Sequence, residues 1–498
     1  MLPDSIGKLK HLRYFDISRI DIEGKSIAQL HLLETIRLLK CFRLEELSGG
    51  MKSLVNPRHL YISVGHHVPV EIGCLTSLQT LPLFKVARER GRGTGELGFL
   101  VELGGELVFD DLRNGYNRDE KELEGLEPHS NMKSLTIRYY MGKYFPSWLL
   151  GKTSGAPSAS FQLMNLVELK LLGCMNVKNL PPLGQYPNLK LLEMKGLHSV
   201  RSIGNEFYMD GCDENMPLIL FPALEFFTLE NMPECSKNEQ IFFSPEPRTS
   251  RYPALENFTL KNMPENKEWL EVEPIIPAFP SLKVLNIIVC HNLNSVPIMS
   301  RFSSLEELTI DWCSELGWMG DESFSPRLKS LTIRDYKNLR SILSLNDDCD
   351  NLGSIPKDIV QLHSLEELCI ELEEFPGLGS IHHLHSSLKK LSLKGWDNTS
   401  LCSLPHQIQH LTEPEKLEIR DFDGLKALPE WLGNLSSPRI LKLQHCKYLV
   451  HLPSKEALQC LSNLHSFDIS FTMILVENKA ELSKLPPHCR VLLRVLDF

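Results

Sequence analysis

The chain contains 498 residues, of which 42% are hydrophobic, and it carries a formal net charge of −10 with a sequence pI near 6.0. This acidic balance excludes the strongly basic footprint of domains that bind nucleic acid or anionic lipid surfaces. No apolar run approaches the roughly 18 residues of a membrane-spanning helix. Residues 1–15 also lack the apolar core of a signal peptide, so the sequence predicts a cytoplasmic protein without a membrane span.

In chain order, the recurring element is a short pattern in which a leucine-like residue is followed three and five positions later by further apolar residues. Copies include Leu12–Phe15–Ile17, Leu166–Leu169–Leu171, Leu282–Leu285–Ile287, Leu305–Leu308–Ile310 and Leu328–Leu331–Ile333. Alternating apolar and polar side chains are typical of a strand with one buried face. Successive copies lie mostly about 20–29 residues apart, which is the period of a leucine-rich repeat.

One such repeat cannot bury its apolar face alone, whereas a stack of repeats can. We therefore predict an α/β leucine-rich-repeat solenoid, or horseshoe, with a concave parallel β-sheet and a convex side of loops and short helices. Residues 1–498 are predicted to form a single solenoid of about 18 irregular repeats, with residues 102–128 as a contracted, degenerate unit. Proline replaces the first apolar residue at three copies, where it is tolerable only at the start of a strand: Pro57, Pro414 and Pro438.

The sequence offers little support for catalysis or metal binding. It has no H-E-x-x-H, G-x-S-x-G or glycine-rich dinucleotide motif, so we predict that the chain is not an enzyme. No C-x-x-C pair occurs among the 13 cysteines. Five cysteines stand three residues after a repeat core, where a small buried side chain is expected to face the loop backbone: Cys41, Cys174, Cys290, Cys313 and Cys446. The cluster His382-His383-His385 is interpreted as a solvated loop.

Several longer strings resemble a known family. The run LPPLGQYPNLKLLEMKGLHSVRSIGNEFY, Leu180 to Tyr208, resembles the repeat region of plant coiled-coil, nucleotide-binding, leucine-rich-repeat disease-resistance proteins. The strings LPDSIGKLKHLRYFDIS, IGCLTSLQTLPLF and FPSWLL are similar to the same family. The resemblance implies a plant defence module whose repeats bind a pathogen effector or a guarded host protein and restrain a nucleotide-binding switch.

The chain also departs from that family. Two strings, Gly24-Lys25-Ser26 and Gly151-Lys152-Thr153, have Arg19 and Pro146 where a phosphate-binding loop needs glycine five residues upstream. The nucleotide-binding domain, with the family's ADP/ATP site, is therefore predicted to be absent, and no cofactor is expected. The pattern begins in the middle of a unit at Leu2-Pro3, which favours a part of a longer protein.

Candidate partner-binding residues follow from side chains that alternate away from the core. Five apolar residues occupy positions expected to face solvent on the concave sheet: Leu172, Leu191, Phe226, Val284 and Ile288. Such a patch suggests a partner surface, although convex loops or irregular packing could instead cover it. Asp311 and Arg334 belong to a row of alternating charges that either binds a ligand or pairs with itself, and Trp312 either binds a partner or covers a loop.

Alternatives to the recognition module remain open at this stage. The chain could be a truncated relative without independent signalling activity. It could also be a repeat-type substrate adaptor of a ubiquitin ligase, although no docking helix precedes the repeats. A third alternative is a receptor ectodomain, although the L-x-G-x-I-P pattern of such proteins is approached only once, at Leu352–Pro356. A protein partner is expected in each of the binding interpretations.

Overall fold

The structure is a computed structural model. It describes residues 6, 8–19, 29–41, 54, 56–62, 71–85, 94–100, 102–110, 120–121, 123–124, 129–150, 163–208, 219–235, 252–264, 279–293, 302–316, 325–334, 362–372, 381, 384–395, 401–411 and 413–494. The chain divides into two compact units. Unit 1 comprises Met1–Asn266 and Glu271–Pro280, and unit 2 comprises Lys267–Leu270 and Ser281–Phe498.

Unit 1 contains two sets of parallel strands, each in chain order. The first is a three-stranded sheet of β1 (Tyr14–Asp16), β2 (Thr35–Leu38) and β3 (His59–Ile62). The second runs through β4 (Leu83–Lys85), β5 (Gly105–Asp110), β6 (Met132–Arg138), β7 (Glu168–Leu172), β8 (Leu191–Lys195), β9 (Phe226–Glu230) and β10 (Asn257–Lys261). The described helices are short: 3-10 turns at Ile72–Cys74, Thr94–Phe99 and Leu183–Gln185, and α1 at Asn205–Tyr208.

Unit 2 repeats the same arrangement, with each strand parallel to the next one in the chain. Its strands are β11 (Val284–Ile288), β12 (Glu307–Asp311), β13 (Ser330–Arg334), β14 (Glu367–Leu372), β15 (Lys390–Gly395), β16 (Lys416–Arg420), β17 (Ile440–Gln444), β18 (Ser466–Ser470) and β19 (Arg490–Arg494). Its described helices are 3-10 turns at His406–His410 and Glu430–Asn434, and α2 (Lys455–Cys460), α3 (Met473–Glu477) and α4 (Lys479–Leu482).

The register between strands explains why the repeat stacks. Leu308 pairs with Leu331, and Ile310 pairs with Ile333, so apolar side chains of neighbouring repeats meet in the same layer of the core. All four are buried, and each such side chain contributes roughly 1.5–3 kcal/mol when fully buried. The predicted parallel-strand leucine-rich-repeat solenoid with few helices is confirmed in these strands. The number of repeats, their union in one solenoid and the contracted unit at residues 102–128 stay predictions.

The three prolines at core positions fit the strand starts. Pro57, Pro414 and Pro438 are all buried, and each lies two residues before its strand, β3, β16 or β17. A proline there fills the core without removing a donor from the ladder.

Left-handed residues end many of the strands, and the apolar pattern gave no sign of them. Gly173 (φ +68°) and Gly196 (φ +70°) follow β7 and β8, and their N–H groups donate to the last carbonyl of the next strand, that of Lys195 or Glu230, at 2.7 and 2.8 Å. In unit 2 the same position holds Trp312 (φ +57°), whose side chain is 50% exposed. This conformation is unusual for residues other than Gly, Asn and Asp.

The longest string that carries the family resemblance, Leu180–Tyr208, supplies many residues of the core. Helix α1, at the end of the Leu180–Tyr208 run, places Phe207 and Tyr208 in a buried aromatic cluster. Within this cluster Tyr252 stacks on Phe221 and Phe279 with ring centroids 5.3 Å apart. Aromatic pairs add roughly 0.5–1.5 kcal/mol each beyond their buried area. The aromatic residues of this run therefore specify packing, whereas Leu191 of the same run lies on the exposed face of β8.

Candidate partner-binding surfaces

The exposed face of each five-residue strand presents its first, third and fifth residues, which we call the first, middle and last rows. The second and fourth residues are buried, as in the half-buried and buried alternation of β7, β8, β11 and β13. Because the strands are parallel and in register, equivalent residues of neighbouring strands stand about 4.8 Å apart. Each row is therefore a continuous line of side chains within its unit.

In unit 1 the structure brings together two of the three predicted apolar residues. Leu191 pairs in register with Phe226 in the first row, and the Phe226 side chain is 44% exposed while Leu191 is half-buried. Leu172 lies in the last row of β7, beside Arg138 and Lys195. The first and last rows are separated by four residues, or roughly 13 Å along the strand. Leu172 therefore does not join the Leu191–Phe226 pair.

In unit 2 the predicted residues fall into one larger group and one outlier. Ile288, Asp311 and Arg334 are consecutive members of the last row. Trp312 follows Asp311 directly, and its N–H donates to the Arg334 carbonyl at 3.1 Å. Val284 lies in the first row of β11, at the other end of the strand from Ile288.

The alternating charges of the last row contact one another. In unit 1, Glu230 lies between Lys195 and Lys261, at 3.1 and 2.8 Å. Burial opposes ionisation of Glu230, but hydrogen bonds from both lysines lower its pKa below the usual value. In unit 2, Arg334 lies 3.8 Å from Asp311. Mutual pairing thus describes these contacts, while partner binding by Asp311 and Arg334 stays a prediction.

A second row of alternating charge escaped the sequence reasoning. We call it the pre-strand ladder, because its members immediately precede the strands of unit 2: Lys283, Glu306, Lys329, Glu366, Lys389, Glu415 and Arg439. Neighbours pair at 2.7 Å (Lys329–Glu306), 3.0 Å (Lys389–Glu366) and 3.8 Å (Arg439–Glu415). The alternation was readable in the sequence, since each residue stands two positions before the second apolar residue of its repeat.

The cysteines behave as structural residues. The five cysteines predicted at the small buried position of the repeat are all fully buried. Their thiols face backbone carbonyls; for example, Cys41 Sγ lies 3.2 Å from Ile17 O. Burial raises the pKa of Cys174 and Cys446 to about 12, which suppresses the reactive thiolate. Among the residues that the structure describes, no group of three or more His, Cys, Asp or Glu side chains could hold a metal ion.

Some predicted features fall outside the described residues. They include His382 and His383 of the histidine cluster, both phosphate-loop-like strings at residues 24–26 and 151–153, the Leu2-Pro3 start and Leu352–Pro356. None of the helices in the described part of the chain has the length and hydropathy of a membrane span.

Comparison with known proteins gives the repeats a family context. Residues 100–197, which contain β5–β8, match the family described as R13L1/DRL21 LRRs. The chain is 28% identical over 361 residues to a disease resistance RPP13-like protein of Arabidopsis thaliana, covering 71% of this chain and 27% of that protein. It is also 28% identical over 305 residues to the disease resistance protein RGA1 of Solanum bulbocastanum, covering 55% and 28%.

The resemblance to plant disease-resistance repeats is confirmed. The chain is similar to the leucine-rich-repeat regions of plant disease-resistance proteins, and it spans about a quarter of the length of these relatives. Among solved structures, a leucine-rich-repeat protein of Leptospira interrogans aligns with 19% identity and a TM-score of 0.46 over 99% of this chain and 98% of that chain. Folds of this class are typically interaction modules that present an extended binding surface.

Proposed function

We propose that the chain is a protein-recognition module of plant defence that binds a pathogen effector or a guarded host protein through the exposed face of its sheets. The observation that carries this proposal is the Leu191–Phe226 pair. Two apolar side chains stand side by side in the first row, with Phe226 44% exposed, on a face where other rows carry charge. A partner that covers them removes apolar surface from water, which is the main source of association free energy.

The surroundings of the pair support a protein ligand. Glu168 precedes Leu191 in the first row and Asn257 follows Phe226, so polar groups border the apolar centre. An aromatic anchor within a polar rim is the arrangement typical of binding hot spots. Binding of this kind requires no catalytic group and no cofactor.

Trp312 and its neighbours supply a second contact region in unit 2. Trp312 has a left-handed backbone and a half-exposed side chain, and it directly follows Asp311, which pairs in register with Ile288 and Arg334. The resemblance also implies that the repeats restrain a nucleotide-binding switch. We propose that these repeats contact and restrain any nucleotide-binding domain that accompanies them.

The experiment compares two substitutions that add the same charge to equally exposed side chains. Phe226→Glu alters the proposed surface, whereas Met175→Glu alters a 40% exposed methionine in the loop after β7. Partners are isolated in a two-hybrid screen of the full chain against pathogen-secreted and host leaf proteins, and their affinities are then measured by calorimetry with purified proteins.

A hot-spot aromatic is typically worth about 2 kcal/mol or more, so we expect Phe226→Glu to weaken binding roughly 30-fold or more. Met175→Glu should leave the affinity within about twofold. Circular dichroism establishes that both variants are folded. Equal affinity of the two variants, or the lack of any partner in both libraries, would contradict the proposal.

A further inference from the structure

The last strands of unit 2 carry more cations than carboxylates on their exposed face. The rows of β16–β19 contain five cations and two carboxylates: Lys416, Arg420, Lys442, Arg490 and Arg494, with Glu418 and Asp468. We call this surface the cationic face. Strands β14 and β15 differ, because there each lysine has its own glutamate, Lys390 with Glu367 at 2.7 Å and Lys394 with Glu371 at 2.8 Å.

The charges of the cationic face are layered by depth. Glu418 lies in the middle row with its side chain only 3% exposed, and three cations converge on it: Lys416 at 2.7 Å, Arg420 at 2.7 Å and Lys442 at 3.6 Å. These cations remain 26–39% exposed. The carboxylates lie beneath, so a molecule approaching the sheet meets ammonium and guanidinium groups first.

The same layering recurs two strands further on. Asp468 is buried, accepts a hydrogen bond from Ser470 Oγ at 3.2 Å and lies 3.8 Å from Arg494. The Arg494 side chain is 70% exposed, so most of its guanidinium surface is open to a ligand. Arg490, in the first row of the same strand, is also exposed.

Nearby acids leave a positive surplus. Glu415 pairs with Arg439 at 3.8 Å and Asp423 with Lys447 at 2.6 Å, so these two are matched by cations of their own. Asp421, directly beyond β16, adds one carboxylate at the rim. Five cations therefore face three carboxylates, in a chain whose net charge is −10. A local surplus of this sign attracts anionic ligands.

We propose that the cationic face binds an acidic segment of a protein partner. Four strands about 4.8 Å apart and five residues long give a surface of roughly 14 by 16 Å, which matches an extended segment of about five residues. Arginine and lysine are suited to carboxylates, which they bind through charge-assisted hydrogen bonds. The inference extends the proposed function, because it gives the chemistry of a partner at a second surface.

Nucleic acid is the less favoured ligand. The acidic chain as a whole repels a long polyanion, and the exposed rows of β16–β19 hold no aromatic ring on which a base could stack. The apolar members of these rows, Ile440 and Leu492, suit a peptide with aliphatic side chains between its acids.

The test measures fluorescence anisotropy of a labelled peptide of alternating Glu and Ser, titrated with the full chain at low ionic strength. A Gln-Ser peptide and a single-stranded oligonucleotide of equal charge serve as comparison probes. The double variant Arg420→Gln/Arg494→Gln removes two cations of the face. The matched control, Lys329→Gln/Lys389→Gln, removes two cations of the pre-strand ladder and leaves the same net charge.

We expect the acidic peptide to bind more tightly than either comparison probe and to weaken with added salt. Its Kd should rise about tenfold in the face variant and less than about twofold in the control. The single variant Arg494→Gln changes a highly exposed side chain, so a loss of peptide binding in this variant would not result from misfolding. No binding of the acidic peptide, equal effects of the two double variants, or tighter binding of the oligonucleotide would overturn the proposal. None of these readouts uses the partner of Phe226, so the two proposals fail independently.

Discussion

Replacement of Glu418 by glutamine tests the charge arrangement of β16 through its effect on stability. Burial opposes ionisation of this carboxyl group, but hydrogen bonds from Lys416 and Arg420 and their positive charges lower its pKa from 4.5 to about 2. The difference of about 2.5 pKa units corresponds to about 3 kcal/mol at 1.36 kcal/mol per unit. The partner cations are partly exposed and solvent screens them, so we expect about half of this value, roughly 1.5 kcal/mol.

The contribution depends on pH in a defined direction. Because the folded-state pKa lies below the unfolded value, the stabilisation is complete above about pH 4.5 and is lost as the pH falls through about 2. Urea unfolding is followed by circular dichroism at a series of pH values for the wild type and for Glu418→Gln. At neutral pH the variant should unfold at about 0.5 M lower urea, given an m-value of about 3 kcal/mol/M, and the gap should close between pH 4.5 and 2.

Glu367→Gln is the matched control. Glu367 also pairs with a lysine at 2.7 Å, but its side chain is 50% exposed, and pairs of this kind contribute about 0–1 kcal/mol. Its urea midpoint should therefore stay close to that of the wild type. A Glu418→Gln deficit that is equally large at pH 7 and pH 2.5, or equal losses in the two variants, would refute the reasoning.

Two further predictions concern the strand ends and the buried thiols. Gly173→Ala should destabilise unit 1 by about 1–3 kcal/mol in urea unfolding, because φ is +68° and an added Cβ would stand 2.9 Å from the Tyr139 ring. Gly98 has open space around it, so Gly98→Ala should leave the stability of unit 1 unchanged. A comparable effect of the two alanines would contradict this strain argument. In native protein, a thiol reagent should label exposed Cys402 and leave Cys174 and Cys446 unlabelled until urea is added, as mass spectrometry can check. Rapid labelling of Cys174 without denaturant would show that its repeat opens.

The repeat pattern predicted the fold because the spaced apolar residues of each repeat all point to the buried face of its strand. Leu308 and Ile310 alternate along β12 and meet their equivalents on β13, so spacing alone identified the buried face. The same logic placed Cys174 and its counterparts beneath the loop backbone. The family resemblance rested on strings such as Leu180–Tyr208, whose aromatic residues pack in the core and are constrained by it.

The exposed face was only partly predictable. Alternation showed that Leu172, Leu191 and Phe226 point away from the core, but alternation alone did not separate Leu172, which follows the third apolar residue of its repeat, from the other two, which precede the second. Row membership depends on the position of a residue within its strand and on the register between strands. The charges of the pre-strand ladder become neighbours only when repeats of unequal length are aligned, so their pairing emerges from the stacked strands.

By itself, the sequence determined that this chain stacks parallel strands with one apolar face. Period-two alternation places the leucines of each repeat on one face, and a single repeat can bury that face only against its neighbours. It also carried the similarity to plant disease-resistance repeats. Only the tertiary structure decided which exposed residues act together: Leu191 with Phe226, and three cations above the buried carboxylate of Glu418. The reason is physical, because Leu191 and Phe226 are 35 positions apart, and Glu418 and Lys442 are 24 positions apart on neighbouring strands, so these contacts exist only through strand register.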